Sequence, residues 1–592
     1  MGTINHTGHG ECRDFLLAHH IPSRLNRRDA SLFATCAQPV SQVADFLGWT
    51  NLSSKPPLSV AEITAIATDI RREGLEAVVL IGQGGSSQAS MTITKLYEVR
   101  EGGSVAFRTM DSLSPVFVNH ILGSSDPART LYIVSSKSGC TIEPLVLERV
   151  AWHYVTGHLG SPGTARRFVA ITDRLDSRLG QLATAKNYRY VLQAPGDVGG
   201  RFSALSVFGL FPVASIGIDI AQAVNHAAAI EDRCGQDQSD NPALDLACFI
   251  YSNYCAGRDK ISLVMPPSGQ VFGLWLEQLI AESLGKQERG ILPNVEVDAS
   301  ILSVPRADRC IISYEVGEPE GFAESLQNFD PSIPARHYSL NSVPELFGRF
   351  VIWEYAVAML GLLMGVNPFD QPDVEDTKKR VNLLLGQLSG AGGVTHRSIA
   401  PSDATVGDDY LRVKPVATEK SEYVQTLQIS RALLAVSDLS QDQVSIDRAL
   451  RALFKSLRPG DYFSLNAFVP FRGYGRREAL ERMRNRIASR LGVASCLEIG
   501  SRYLHSTGQL HKGGPNTGVF LFISADEDND IIIPDKHYSL GELAVIQAQG
   551  DFAALAARGR RAVLLHLSGN GSETLSHLAD RFCLAVSAVR AP

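Results

Sequence analysis

Short apolar runs, polar loops and longer helical stretches alternate from about residue 59 to the C-terminus. Residues 76–81 (EAVVLI) are almost continuously apolar, the pattern of a strand covered on both faces. A glycine-rich loop and a helical segment over 88–100 follow it. Residues 130–134 (TLYIV) predict a second strand, followed by a Ser/Lys/Gly loop and a helix over 142–153. Further strands are expected at 167–172 and 188–191. Strands alternating with helices in this way form βαβ units and a parallel sheet. A second stretch, from about 226, offers strands at 261–265 and 309–313, a helix over 272–284 and a long apolar helix within 342–366. A third has strands at 462–469, 518–523 and 562–567, with helices at 477–491 and 540–558. The pattern predicts an α/β protein in five segments: an N-terminal arm (1–58), two parallel-sheet domains (59–225 and 226–388), a loop-rich insertion (389–440) and a C-terminal α/β segment (441–592). Residues 389–407, rich in Gly, Ser, Thr and Pro, read as a surface loop.

Composition narrows this picture only a little. At 592 residues the chain is too long for one core and divides into three or four units. With 44% hydrophobic and 20% charged residues it is an ordinary globular chain. A formal charge of -6 disfavours a broad nucleic-acid surface, which needs a basic stripe, but leaves room for a local phosphate pocket. None of the nine cysteines forms a C-x-x-C pair, so neither a zinc site nor a disulfide framework is implied, and a reducing cytoplasm is the expected setting. The N-terminus has no apolar signal region. The longest apolar runs, 208–224 and 350–366, are interrupted by Pro212 and Asp219 and by Glu354. They fall short of a spanning helix, so no membrane partner is expected. His6, His9, His19 and His20 read as part of a mobile polar arm rather than a metal tract.

Candidate chemistry concentrates in the loops. Gly82-Gln83-Gly84-Gly85-Ser86-Ser87 lies between a strand and a helix, where backbone N–H groups and the helix N-terminus favour an anion. A plain tight turn explains that loop equally well. Ser135-Ser136-Lys137-Ser138-Gly139-Cys140-Thr141 takes the same position after the next strand, with hydroxyls suited to phosphate oxygens. The competing reading is an N-cap, with Thr141 as cap and Glu143 in the first turn. Two such loops after successive parallel strands converge on the sheet's C-terminal edge, where this fold class binds ligands. The chain contains neither G-x-x-x-x-G-K-[ST] nor the dinucleotide spacing. Gly199-Gly200-Arg201 offers a fixed cation for a developing oxyanion, or simply a surface ion pair. Gln278 and Glu282 share a helix face, and Glu282 is either a base in apolar surroundings or the partner of Lys286.

Taken together, GGSS (84–87), SKSGCTIE (136–143), GGRFSALS (199–206), AESLGK (281–286), NPFDQPDVEDTKK (367–379) and LHSTGQ (504–509) resemble phosphoglucose isomerase. More closely, they resemble the isomerase half of bacterial transaldolase–phosphoglucose isomerase fusions, over nearly the whole chain from about Arg24. The resemblance implies two sugar-isomerase-type domains and a metal-free reaction needing no cofactor. It also implies a homodimer acting on a sugar-phosphate substrate. By position it implies that Glu282 moves the proton between C2 and C1 and that Arg201 stabilises the enediolate. Lys378 and His505 would open the ring, with His511 a rival for the latter. Gly85, Ser86, Ser136, Lys137, Ser138, Thr141 and Gln278 would hold the phosphate. The sequence departs from the family at Cys140, where a threonine is usual, at Gln83, and in placing the histidine motif after FDQP. The expected reaction is D-glucose 6-phosphate to D-fructose 6-phosphate. The same chemistry on another phosphorylated sugar and a non-catalytic sugar-phosphate-binding protein are the alternatives.

Overall fold

The computed structural model describes residues 8–592 except 35–39, 101, 103, 297, 317–321, 323–325, 391–408, 416–422, 440–443, 471–474, 528 and 570. The loop expected at 389–407 lies almost entirely outside the described residues. The chain divides into two compact units. The first is Met1–Asp111 with Ile121–Gln371, and the second is Ser112–His120 with Pro372–Pro592. This division is coarser than the five segments expected, and the finer scheme stays a proposal.

The first unit is built on two parallel sheets. The five-stranded sheet comprises β1 (Ala77–Gly82), β2 (Ala106–Met110), β3 (Thr130–Ser135), β4 (Phe168–Thr172) and β5 (Tyr190–Gln193), in the order β2-β1-β3-β4-β5. Every residue of β1 and β3 is buried, which explains their unbroken apolar runs. Because the chain passes from β1 to β2 on one side and then to β3 on the other, a crevice opens between the C-terminal ends of β1 and β3. The four-stranded sheet, β6 (Lys260–Val264), β7 (Leu292–Glu296), β8 (Arg309–Val316) and β9 (Ala335–Leu340), has the same winding in the order β7-β6-β8-β9.

Two expectations change here. Residues of the supposed mobile arm form helices His9–Ala18 and Ile21–Asn26, with Cys12, Leu16, Ile21 and Leu25 buried in the core. The first of these packs on the helix Pro242–Cys255. Among its histidines, His9 faces Asp245 at 3.1 Å and His20 faces Asp237 at 2.9 Å. The apolar run at 350–366 belongs to a 22-residue helix, Val343–Met364, which is long and apolar enough to cross a membrane. Nearly all of it is instead packed inside the protein, where burial, reinforced by the charge of Glu231, holds the Glu354 carboxyl well above the usual range.

The second unit carries a six-stranded sheet: β10 (Tyr410–Val413), β11 (Val424–Ser430), β12 (Tyr462–Phe468), β13 (Ala494–Ile499), β14 (Gly518–Ala525) and β15 (Arg561–Leu567). Its order is β10-β11-β15-β14-β12-β13. The last four strands are parallel, while β10 and β11 run antiparallel along one side, inside the stretch expected to be loop.

Candidate active site

The turn after β1 is a short 3-10 segment, Gly84–Ser86, whose shape depends on the absence of a side chain. A methyl group at Gly85 would stand 2.0 Å from the Gly200 carbonyl oxygen, so only glycine lets this turn seat against the Gly199–Gly200 backbone that precedes Arg201. Ser203 Oγ donates to that same carbonyl at 2.6 Å. The turn after β3 is tied to the first by Ser135 Oγ, which donates to the Ser86 carbonyl at 2.9 Å. Gly139 adopts φ +61, and a side chain there would collide with Ser177 Oγ. Ser138 is exposed, and its hydroxyl accepts from the Cys140 N–H at 3.3 Å.

Two hydroxyls of this second turn are not spent on structure. Ser136 is 2% exposed, yet its Oγ finds no partner among the described residues. Thr141 occupies the N-cap of the helix Ile142–Ala165 without making a side-chain capping bond, so the cap reading does not account for it. Lys137 is half-buried above the Phe46 ring, 5.0 Å from its centroid. Burial pushes its ammonium down, Asp173 opposes this, and the Arg201 charge adds to it.

Arg201 is 3% exposed and held from several directions. Its Nε donates to Ser283 Oγ at 2.7 Å and Nη1 to Gln371 Oε1 at 3.1 Å. Nη2 donates to the carbonyls of Asp370, at 2.9 Å, and Pro368. Burial lowers its pKa, and Glu282 and Asp370 offset part of that. Arginine still keeps its charge in such a setting, so a rigid, pre-aimed cation results.

Glu282 lies 3.3 Å from Arg201 Nη1, and its Oε2 accepts from Gln278 Nε2 at 3.0 Å. The far oxygen of Gln278, Oε1, is buried with no partner among the described residues. Both residues sit on the helix Gln270–Leu284, which packs against the Gly84–Ser86 and Gly200–Phe202 turns. Glu282 thus pairs with Arg201, and Lys286 turns elsewhere. Lys286 Nζ meets Asp370 Oδ1 at 2.8 Å and also donates to the Asn367 carbonyl. It is 2% exposed, and burial, with the nearby Arg201 charge, pushes its pKa down to about 7 against the pull of Asp370. Lys286 pins the stretch whose carbonyls grip Arg201. Its place in AESLGK was visible in the sequence, but its partner, 84 positions away at Asp370, was not.

Gly85, Ser86, Ser136, Lys137, Ser138, Thr141, Arg201, Gln278 and Glu282 all belong to the first compact unit; Lys378 and His505 belong to the second. Lys378 lies on the helix Val374–Gly390 in a solvent-exposed pair with Glu375, at 2.6 Å. His505 ends the 3-10 segment Arg502–His505 and is half-buried. His511 is sealed in an aromatic box, with its ring 5.9 Å from Tyr462 and 5.0 Å from Phe520. Neither ring nitrogen has a partner among the described residues, and burial holds its pKa well below the usual value, so the ring is neutral. Among the described residues no three His, Cys, Asp or Glu side chains are grouped to hold a metal ion.

Residues 69–302 match the family model described as phosphoglucose isomerase. A glucose-6-phosphate isomerase from Alkaliphilus metalliredigens is 28% identical over 394 residues, covering 58% of this chain and 87% of that protein. One from Bacillus cereus (strain B4264) is 29% identical over 398 residues with the same coverage. A solved glucose-6-phosphate isomerase from Chlamydia trachomatis aligns with TM-score 0.52 at 17% identity, over 65% of this chain and 87% of that one. A hypothetical protein from Thermus thermophilus aligns with TM-score 0.51 at 24% identity, over 64% of this chain and 97% of that one. At such identities the two structures speak for the fold alone. Parallel sheets, paired turns and sequence relatives together define an α/β enzyme of the isomerase class. The match to the phosphoglucose isomerase model is confined to 69–302 and the similarity to the relatives to 58% of the chain, a narrower span than the motifs had implied.

Proposed function

We propose that the chain interconverts D-glucose 6-phosphate and D-fructose 6-phosphate through a cis-enediolate. The observation that carries this reading is Glu282, on the helix that packs against the Gly84–Ser86 turn, with its carboxylate 3.3 Å from the buried Arg201. Isomerisation needs a base beside the C2 hydrogen and a fixed positive charge for the oxygen that becomes negative. Glu282 takes the proton and returns it at C1, and Arg201 stabilises the enediolate. The free hydroxyls of Ser136 and Thr141, with Ser86, Ser138, Gly85, Lys137 and Gln278, hold the phosphate. Lys378 and His505 are assigned to ring opening by their motif positions alone. The likeness to the isomerase half of transaldolase fusions, a homodimeric assembly and a cytoplasmic setting belong to the same proposal.

The test is a coupled assay across hexose, pentose and heptose phosphates with chelator present, together with exchange of the C2 proton into deuterated water. Turnover of glucose 6-phosphate with exchange supports the reading. A tenfold preference for another sugar phosphate replaces the substrate but keeps the chemistry, whereas binding without exchange overturns the enzyme mechanism.

A further inference from the structure

The first unit holds a second concavity that the isomerase site does not use. It has a volume of about 390 Å³ and lies where the helix Ile220–Cys234, the end of edge strand β9 and the N-terminal half of the helix Val343–Met364 meet. Arg349 lines it. The guanidinium carbon sits 4.7 Å from the Tyr338 ring centroid and 5.8 Å from that of Tyr314, two rings stacked 5.3 Å apart. Aromatic faces hold the flat cation in place and leave its N–H fork uncommitted. Arg349 has no hydrogen-bond or ion-pair partner among the described residues.

The other lining groups have the same character. Arg233 is more than half exposed and makes only a long 3.9 Å approach to Asp240. His226 closes over Gly348, where a methyl group would lie 3.1 Å from its Nε2. Ser339 and Asn341 add a hydroxyl and an amide. The acid of the set, Glu345, is turned back to accept from the Asn341 N–H at 2.8 Å. The pocket therefore offers two arginines against one engaged carboxylate. It is separate from the candidate active site. Gly361, which abuts Pro368 beside Arg201, lies 13 residues along the same helix from Gly348, a rise of about 20 Å.

We propose that this pocket is a second ligand site that takes the phosphoryl group of a small metabolite, bound by the Arg349 and Arg233 forks. The size suits a compact phosphorylated molecule. The inference does not depend on which sugar the enzyme isomerises. Calorimetric titration of the full-length protein with pyrophosphate at constant ionic strength tests it. Wild type is expected to take up two equivalents per chain, and Arg349→Gln one, with kcat/KM unchanged. Arg233→Gln, at an exposed position, is expected to weaken the second equivalent about tenfold. It supplies the answer if Arg349→Gln does not fold. Ser136→Ala and Lys137→Gln are expected to weaken only the other equivalent. Pyrophosphate uptake, of one equivalent or two, whose stoichiometry and affinity Arg349→Gln and Arg233→Gln both leave unchanged overturns the proposal, as does no uptake at all, whether or not the protein turns over glucose 6-phosphate.

Discussion

The two sheets of the first unit are wound alike and meet the candidate site in different ways. In each, the first strand lies between the second and the third, so each has a crevice at the same place. After β1 and β3 the chain turns through glycines, serines and a threonine, leaving hydroxyls without structural duties. After β6 it runs Met265-Pro266-Pro267, and two prolines supply no N–H to an anion. There Gly269 is pressed against Val316 and Met265, closing the edge with apolar contact. The second sheet contributes the helix that follows instead, which carries Gln278, Glu282 and the route to Lys286. Winding provides the position, and loop composition decides which sheet offers free hydroxyls for the proposed anion and which offers the carboxylate proposed as base.

Breaking the helix side should have the largest effect. Glu282→Gln keeps the hydrogen-bonding shape and removes the proposed base, so kcat should fall about a thousandfold while phosphate affinity stays within about threefold. Steady-state rates and phosphate titration on the same preparation check this. Equal losses in both would mean that Glu282 holds the fold of the pocket rather than the proton. Lys286→Met should come next, lowering kcat/KM about tenfold to a hundredfold by releasing the Asn367–Asp370 stretch that grips Arg201. Lys286 is charged below its pKa of about 7 and gives up its proton as pH rises through that value. Wild-type kcat/KM should therefore lose a contribution between pH 6 and 8 that is missing from the pH profile of Lys286→Met. For stability the sign is opposite: the unfolded chain binds this proton more tightly, so this group makes the fold more stable as pH rises above 7.

Breaking the turn side should separate binding from folding. Ser136→Ala removes a buried hydroxyl with no partner among the described residues, so the melting temperature should hold or rise slightly. Phosphate affinity should weaken about tenfold, or ~1.4 kcal/mol. A marked loss of stability would show that the hydroxyl serves the fold. Gly85→Ala should do the reverse of Ser136→Ala, costing about 1–3 kcal/mol through the collision with Gly200.

What could be read in advance follows from how local each signal is. β1, β3 and β4 are unbroken apolar runs and could hardly be anything else. β2 (AFRTM) and β9 (ARHYSL) lie at sheet edges and carry polar residues, and β7 (LPNVE) contains Pro293, tolerated because β7 is also an edge strand. Such strands look like loop to a hydrophobicity pattern. The helix expected to stop at 153 continues to Ala165 around a bend at Gly160. At the site, residue types within one turn were legible. The carbonyl clamp on Arg201 and the Lys286–Asp370 pair were not, because their partners lie roughly 80 to 170 positions away and backbone carbonyls have no sequence signature.

The C-terminal unit sharpens the comparison with a smaller effect. Its parallel strands repeat the winding once more, in the order β13-β12-β14-β15, and here β12 and β13 themselves carry buried polar side chains, Asn466 and Glu498. Glu498 on β13 lies in register beside Asn466 on β12, and its Oε1 has no partner among the described residues. Burial raises its pKa to about 7, and Thr507, Arg502 and Arg484 offset this only in part. Because the folded value exceeds the unfolded one, the folded chain holds this proton more tightly. The stability it contributes is full below about pH 4.5 and is lost as pH rises towards 7. Glu498→Gln replaces the neutral acid with a group that does not titrate. The difference in melting temperature between variant and wild type should therefore be small at pH 5 and should favour the variant by a few degrees at pH 8. Taking the difference cancels every other titrating group, including Lys286, whose effect runs the opposite way. A difference that stays constant across that range would mean that the carboxylate is ionised and satisfied in the fold. The third repeat of the winding would then resemble the first, with polar groups arranged for a charge, rather than the apolar closure of the second.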